Sequence, residues 1–155
     1  MKKMVLLMIV CLLLTVSAFS DESPVRAGRS GVSVRLVLGK NTEDSTAQVG
    51  VDYEYGIMKH LSAGGGYVYV DGRHPLQAHG ANVYLKGYAF DSVFDVYGKI
   101  AAQVYYQDEF GIVTTYFAGA EWQSPFKLYI DIEGGAELEG SDLGYLYGVV
   151  IGVRL

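Results

Sequence analysis

His60 and Ser62, separated by Leu61, come nearest in this sequence to a nucleophile and its base. A serine hydroxyl becomes a nucleophile when an imidazole takes its proton and a carboxylate orients that imidazole. The sequence places no acid to orient His60, which is expected to be a solvated turn residue. Asp71, His74 and His79 flank one expected loop and are metal-ligating types, but their spacing matches no established metal site. Gly64-Gly65-Gly66 lacks the lysine and the following helix of a phosphate-binding loop. Eight carboxylates could serve proton transfer: Asp52, Glu54, Asp95, Glu121, Asp131, Glu133, Glu137 and Glu139. They share a strand parity with Arg35, Lys86, Lys99, Lys127 and Arg154. A structural ion network is the expected role of this mixed set, and no catalytic, metal or cofactor-binding residue is assigned.

These charges are positioned by alternation. From Phe126 to Glu139, one parity holds Phe126, Leu128, Ile130, Ile132, Ala136 and Leu138. The other holds Lys127, Tyr129, Asp131, Glu133, Glu137 and Glu139. A period of two puts these sets on opposite faces of a strand, whereas a helix would wrap them around its cylinder. The same rhythm predicts strands over residues 31–39, 47–57, 61–70, 79–90, 94–106, 112–123 and 143–155. Eight amphipathic strands with short connections predict an all-β fold, an eight-stranded antiparallel up-and-down barrel.

The first twenty residues are set apart. Lys2 and Lys3 precede a nearly unbroken apolar run from Met4 to Val16, and small residues follow at Ala18 and Ser20. This is the pattern of a cleavable signal peptide, residues 1–20. Residues 21–30 read as a short, loose lead-in and residues 31–155 as the barrel domain. Cys11, the only cysteine, leaves with the signal, and the loss of Lys2 and Lys3 takes the formal charge from −5 to −7. With no basic patch, nucleic acid is excluded as an expected partner.

Lipid is the expected surroundings of the apolar face. No charge falls on it, and a charge there at mid-bilayer would cost about 2–4 kcal/mol. Its aromatics gather toward strand ends. Tyr55, Phe94, Trp122 and Phe126 fall at one rim and Tyr69, Tyr106, Tyr145 and Tyr147 at the other, with an aliphatic band between. The opposite parity is expected to line the lumen as an ion network of Arg35, Asp52, Glu54, Lys86, Lys99, Glu121, Lys127, Asp131, Glu133 and Arg154. Tyr84, Tyr88, Tyr97, Tyr105 and Tyr129 share it, so no large pore is expected.

The chain resembles the small eight-stranded outer-membrane barrels of Gram-negative bacteria, the OmpA/OmpX-like transmembrane domains. Its last strand, YLYGVVIGVRL, alternates apolar residues up to Leu155, where that family usually ends on an aromatic residue. The resemblance implies an integral outer-membrane protein, recognition of the last strand by the barrel-assembly machinery, contact with the bilayer and its lipopolysaccharide, and a structural or envelope role without enzymatic activity. A monomer with outer loops of about four to eight residues is expected. Two other functions compete. A soluble periplasmic lipocalin-like barrel would invert the faces around a lipophilic ligand. A lipid A-modifying enzyme is suggested by the similarity of His60-Leu61-Ser62 to the His-x-Ser pair of the lipid A deacylases, which are also small barrels.

Neighbouring residues on opposed parities give a direct test. Ile130→Arg should block insertion into lipid vesicles by adding about 2–4 kcal/mol at the apolar face. Asp131→Asn, one residue later, should insert normally, as followed by protease protection.

Overall fold

Tyrosine, valine and glycine in strict alternation favour extended backbone, and every such stretch here is a strand. A computed structural model of the protein describes residues 26–40, 45–72, 77–90, 92–106, 110–139 and 142–155. The expected signal peptide, the first part of the lead-in, and His74 lie outside the described residues. The strands are β1 (Ser30–Lys40), β2 (Ser45–Met58), β3 (Leu61–Asp71), β4 (Gln77–Tyr88), β5 (Phe94–Tyr106), β6 (Phe110–Gln123), β7 (Leu128–Glu139) and β8 (Asp142–Arg154). Each pairs antiparallel with the next, and β8 returns to β1, so the sheet is a closed barrel. Closure leaves no strand edge with unpaired backbone groups.

β1 begins and β8 ends at one rim, here termed the terminal rim. The turns at 59–60 and 124–127, and the described residues 89–90 and 92–93 between β4 and β5, also lie there. The strand ends Lys40 and Ser45, Asp71 and Gln77, Tyr106 and Phe110, and Glu139 and Asp142 lie at the opposite, distal rim. β2, β4 and β6 start before the alternation becomes clear, at Ser45, Gln77 and Phe110, and the distal loops, expected at about four to eight residues, lie almost wholly outside the described residues. β7 starts at Leu128 rather than Phe126. Ser124 to Lys127 forms a tight turn closed by Lys127 N–H to Ser124 O at 3.1 Å and Ser124 N–H to Leu128 O at 2.7 Å. Pro125 sits at the turn's second position, and Lys127 takes the left-handed conformation that ends such a hairpin, with φ 66°.

The two parities separate completely. Val32, Val34, Leu36, Val49, Val51, Ile100, Val149, Ile151 and their neighbours point outward and are exposed, while their sequence neighbours Arg35, Asp52, Lys99 and Val150 are buried in the lumen. Two inward-facing layers result. Toward the terminal rim the lumen is ionic. Toward the distal rim it is richer in apolar groups, with one cluster of Val68, Val70, Ala78, Tyr105 and Val113 and a second of Val37, Phe117 and Leu146, beside which Gln48 donates to the buried Glu137 at 3.4 Å. Sequence reading assigned the inward parity as polar. The apolar layer was legible only where alternation fails, as in Leu36-Val37-Leu38 and Tyr145-Leu146-Tyr147.

Inward glycines make room for inward rings. Gly64 faces Tyr84, Gly80 faces Tyr105, Gly119 faces Tyr97, Gly135 faces Phe117 and Gly152 faces Tyr129, each directly opposite across a strand pair. A Cβ on any of these glycines would run into the ring of its partner. The ring thus covers the bare backbone opposite it, a pairing that also pins strand register.

Gly152→Val should therefore destabilise the barrel by about 1–3 kcal/mol through overpacking against Tyr129. Gly98→Ala should be neutral or stabilising, since a Cβ there meets nothing within 4 Å. Urea titration followed by Trp122 fluorescence separates the two.

Candidate functional site: the ionic lumen

Register lines up three acids. Asp95 on β5 is directly opposite Glu121 on β6, which is directly opposite Asp131 on β7. All three point inward and are buried. Like charges so placed repel, and in a low-dielectric interior the repulsion is strong. Cations from elsewhere on the barrel wall offset it. Lys86 of β4 places its Nζ 2.6 Å from Asp131 and 2.9 Å from Glu121. Arg154 of β8 donates to Glu121 at 3.0 Å and to Glu54 of β2 at 2.7 Å. Arg26, before β1, donates to Asp95 at 2.8 Å and to Glu121 at 3.2 Å. Glu121 is thereby held by three cations, and it also accepts from Gln123.

Tyrosines complete the coordination. The Tyr88 hydroxyl lies 3.0 Å from both Glu54 and Glu121. The guanidinium of Arg26 stacks on the Tyr88 ring at 3.8 Å, the Lys86 ammonium sits 3.9 Å from the Tyr97 ring centre, and Arg154 lies over Tyr129 at 4.3 Å. A second group lies nearer mid-barrel. Lys99 is paired with Glu133, which also accepts from the Tyr97 hydroxyl at 3.0 Å. Arg35 approaches Asp52 at 3.5 Å, a charge contact without hydrogen-bond geometry. Lys86 and Lys99 are themselves directly opposite on β4 and β5, and their ammonium groups reach separate acids.

Of the residues expected in this network, Arg35, Asp52, Glu54, Lys86, Lys99, Glu121, Asp131, Glu133 and Arg154 are buried inside. Lys127 is not among them. It is exposed in the Ser124–Lys127 turn, because the left-handed residue closing that turn stands before β7 rather than in it. Asp95, expected on the inward parity but not in the ten-residue network, belongs to the acid row. Arg26 was also missed. Residues 26–29 are not a loose lead-in: Gly28 N–H donates to Gly56 O and Gly56 N–H to Arg29 O, both at 2.8 Å, and Arg26 is buried. Nothing periodic announces it. The only sequence signal was an arginine in a short polar segment beside a barrel with surplus acids.

On the outside, Tyr55, Tyr106 and Tyr145 are exposed near strand ends, Tyr147 is exposed one residue from the middle of β8, Tyr69, Phe94 and Trp122 are partly covered near strand ends, and Phe126 is 89 % exposed in its turn. Tyr67 and Tyr116 also face outward near strand middles, so the band between the rims is not purely aliphatic. Tyr67 bonds through its hydroxyl to His79 Nδ1 on the same outer wall. His60 is exposed in a turn whereas Ser62 is buried in the lumen. Asp71 and His79 are both exposed. Among the described residues no three histidine, cysteine or acidic side chains form a metal-like group.

Chemically, this arrangement is a buried ion cluster in which Glu121 and Glu54 are well coordinated, while Arg35 and one oxygen each of Asp52, Asp131 and Glu133 have no hydrogen-bond partner among the described residues. A cavity of about 10 Å³ lies among Asp52, Glu54, Lys86 and Asp131, at the lower limit for one water molecule. It has no room for an organic substrate.

No family model and no curated protein matches the chain. Solved structures do. The chain is similar to a protein from work on the de novo design of transmembrane β-barrels, with 20% identity, 83% of this chain and 97% of that one covered, and a TM-score of 0.58. It is similar to the N-terminal β-barrel domain of Pseudomonas aeruginosa OprF, with 10% identity, 81% and 97% coverage and a TM-score of 0.58. Neisserial surface protein A matches at 7% identity, 81% and 95% coverage and a TM-score of 0.52. At these identities the likeness is one of fold, and that fold is the small closed barrel of transmembrane proteins.

Arg26→Ala should cost about 3 kcal/mol by leaving Asp95 and Glu121 short of counter-charge in a buried site. Adding Asp95→Asn should recover part of the loss. A double-mutant cycle by urea unfolding reads the coupling, expected at about 0.5–3 kcal/mol.

Proposed function

We propose that the protein is an integral outer-membrane barrel whose direct role is structural, a closed, filled, membrane-spanning element of the envelope without enzymatic activity. The observation that carries this reading is the inversion of its faces. Among the described residues, valine, leucine, isoleucine and tyrosine cover the outside, while five basic and seven acidic side chains are buried inside. A water-soluble monomer rarely exposes an apolar patch beyond a few hundred Å². A bilayer supports an outward apolar belt and requires a closed sheet. Strands of 11 to 14 residues meet or exceed the roughly 9–11 that a tilted span needs.

In this reading the terminal rim faces the periplasm and the distal rim the cell exterior. The last strand, with Val149, Ile151 and Val153 outward, is the segment presented to the barrel-assembly machinery, and lipopolysaccharide borders the distal belt. The protein is a monomer and does not conduct. Its distal lumen is packed with Val37, Val68, Val70, Val113 and Leu146, and an apolar constriction of this kind excludes water and ions. A lipocalin-like carrier would need an apolar cavity where this barrel holds an ion cluster. A His60–Ser62 catalytic pair would need both side chains in one environment, and one is exposed while the other is buried.

Three measurements test the proposal. Carbonate washing should leave the protein in the membrane fraction, whereas a soluble carrier would be released. Trp122, near the terminal end of β6, should be quenched most by lipids brominated near the headgroup. Lack of quenching at every bromine depth would refute a bilayer location. Pure protein in planar bilayers should show no porin-like conductance.

A further inference from the structure

The two rims differ in exposed charge. Among the described residues the exposed lysines and arginines are Arg29, Lys40, Lys59 and Lys127, and all but Lys40 lie at the terminal rim. The exposed acidic side chain among the described residues, Asp71, is at the distal rim. Arg26 and Arg154 also stand at the terminal end but are directed inward to carboxylates. Arg29, Lys59 and Lys127 thus form a cationic arc on the outside of that rim.

The arc is continuous through the backbone. Arg154 N–H donates to Lys127 O at 2.8 Å, Leu155 N–H to Ser30 O at 2.7 Å, and Gly56 N–H to Arg29 O at 2.8 Å. It therefore follows β7, β8, β1 and β2 around the rim. Two of the cations directly follow an exposed apolar side chain in sequence, in Met58-Lys59 and Phe126-Lys127. An apolar group that enters hydrocarbon beside a cation that stays at the surface suits a lipid–water boundary. Lys127 also occupies a left-handed backbone position, φ 66°, that glycine adopts freely and lysine does not.

We propose that this arc binds the phosphates of anionic phospholipid headgroups in the leaflet at the terminal rim. The inference rests on the membrane reading above and adds the lipid class. Each cation near an anionic surface strengthens association roughly fivefold, less as salt shortens the screening distance.

The test uses the full chain refolded into vesicles that mix phosphatidylcholine and phosphatidylglycerol, with one or the other lipid brominated. Trp122 lies next to the Ser124–Lys127 turn and reports the neighbouring lipid. Brominated phosphatidylglycerol should quench it more strongly than brominated phosphatidylcholine at low salt, and the preference should shrink at high salt. Arg29→Gln with Lys127→Gly should reduce the preference by about an order of magnitude. Lys127→Gly relieves the backbone, so its urea midpoint should hold or rise. Lys59 has a partner within the chain and is left in place. Lys40→Gln at the distal rim should leave the preference unchanged. Equal quenching by both lipids, or a preference that survives the double substitution, would overturn the headgroup assignment while leaving the bilayer location intact. Trp122 unquenched by either lipid would instead remove the membrane reading and this inference with it.

Discussion

The row Asp95–Glu121–Asp131 is the constraint around which the barrel is built. Three carboxylates in direct cross-strand register are an unfavourable arrangement inside any protein. They are tolerated because Lys86, Arg154 and Arg26 converge on them from β4, from β8 and from the segment before β1. None of these cations comes from the strands that carry the acids. The pairing therefore ties distant parts of the wall together across the lumen. A slip of one residue in any strand would send its charges outward and its valines inward. Register, closure and charge balance are accordingly one condition.

The glycine–ring pairs serve the same condition by packing. Tyr84, Tyr97 and Tyr129 lie across Gly64, Gly119 and Gly152, and their hydroxyls and ring faces are at the same time available to the ion cluster. A tyrosine in this barrel is both the volume that fills the lumen and part of the polar environment that lets charges stay there. The distal layer of valines, Phe117 and Leu146 needs no such arrangement, and it closes the other half of the lumen by apolar contact.

Much of this was legible in the sequence, because a period of two converts directly into an inside and an outside. Residues 126–139 alone separate Ile130 and Ile132 from Asp131 and Glu133, and the barrel keeps that separation. The failures were of two kinds. Lys127 obeys the parity but lies before the strand, since the turn chemistry of Ser124-Pro125 takes precedence at a strand end. Arg26 has no parity to obey, and its burial is set by a charge deficit that appears only when three strands are in register. The distal apolar layer was hidden for a related reason: alternation shows that a position faces inward without saying what the inside is made of.

The position of Arg154 in the chain has a consequence for how the barrel is made. It is the final residue of the last strand, and it reaches Glu54 on the second strand and Glu121 on the sixth. An unfinished sheet of seven strands would hold those carboxylates without that guanidinium, a surplus of negative charge facing a half-open, poorly hydrated trough. Partial structures are thus electrostatically penalised until the final strand docks. Completion is cooperative, because the strand that closes the sheet brings a counter-charge that the acids of two other strands share.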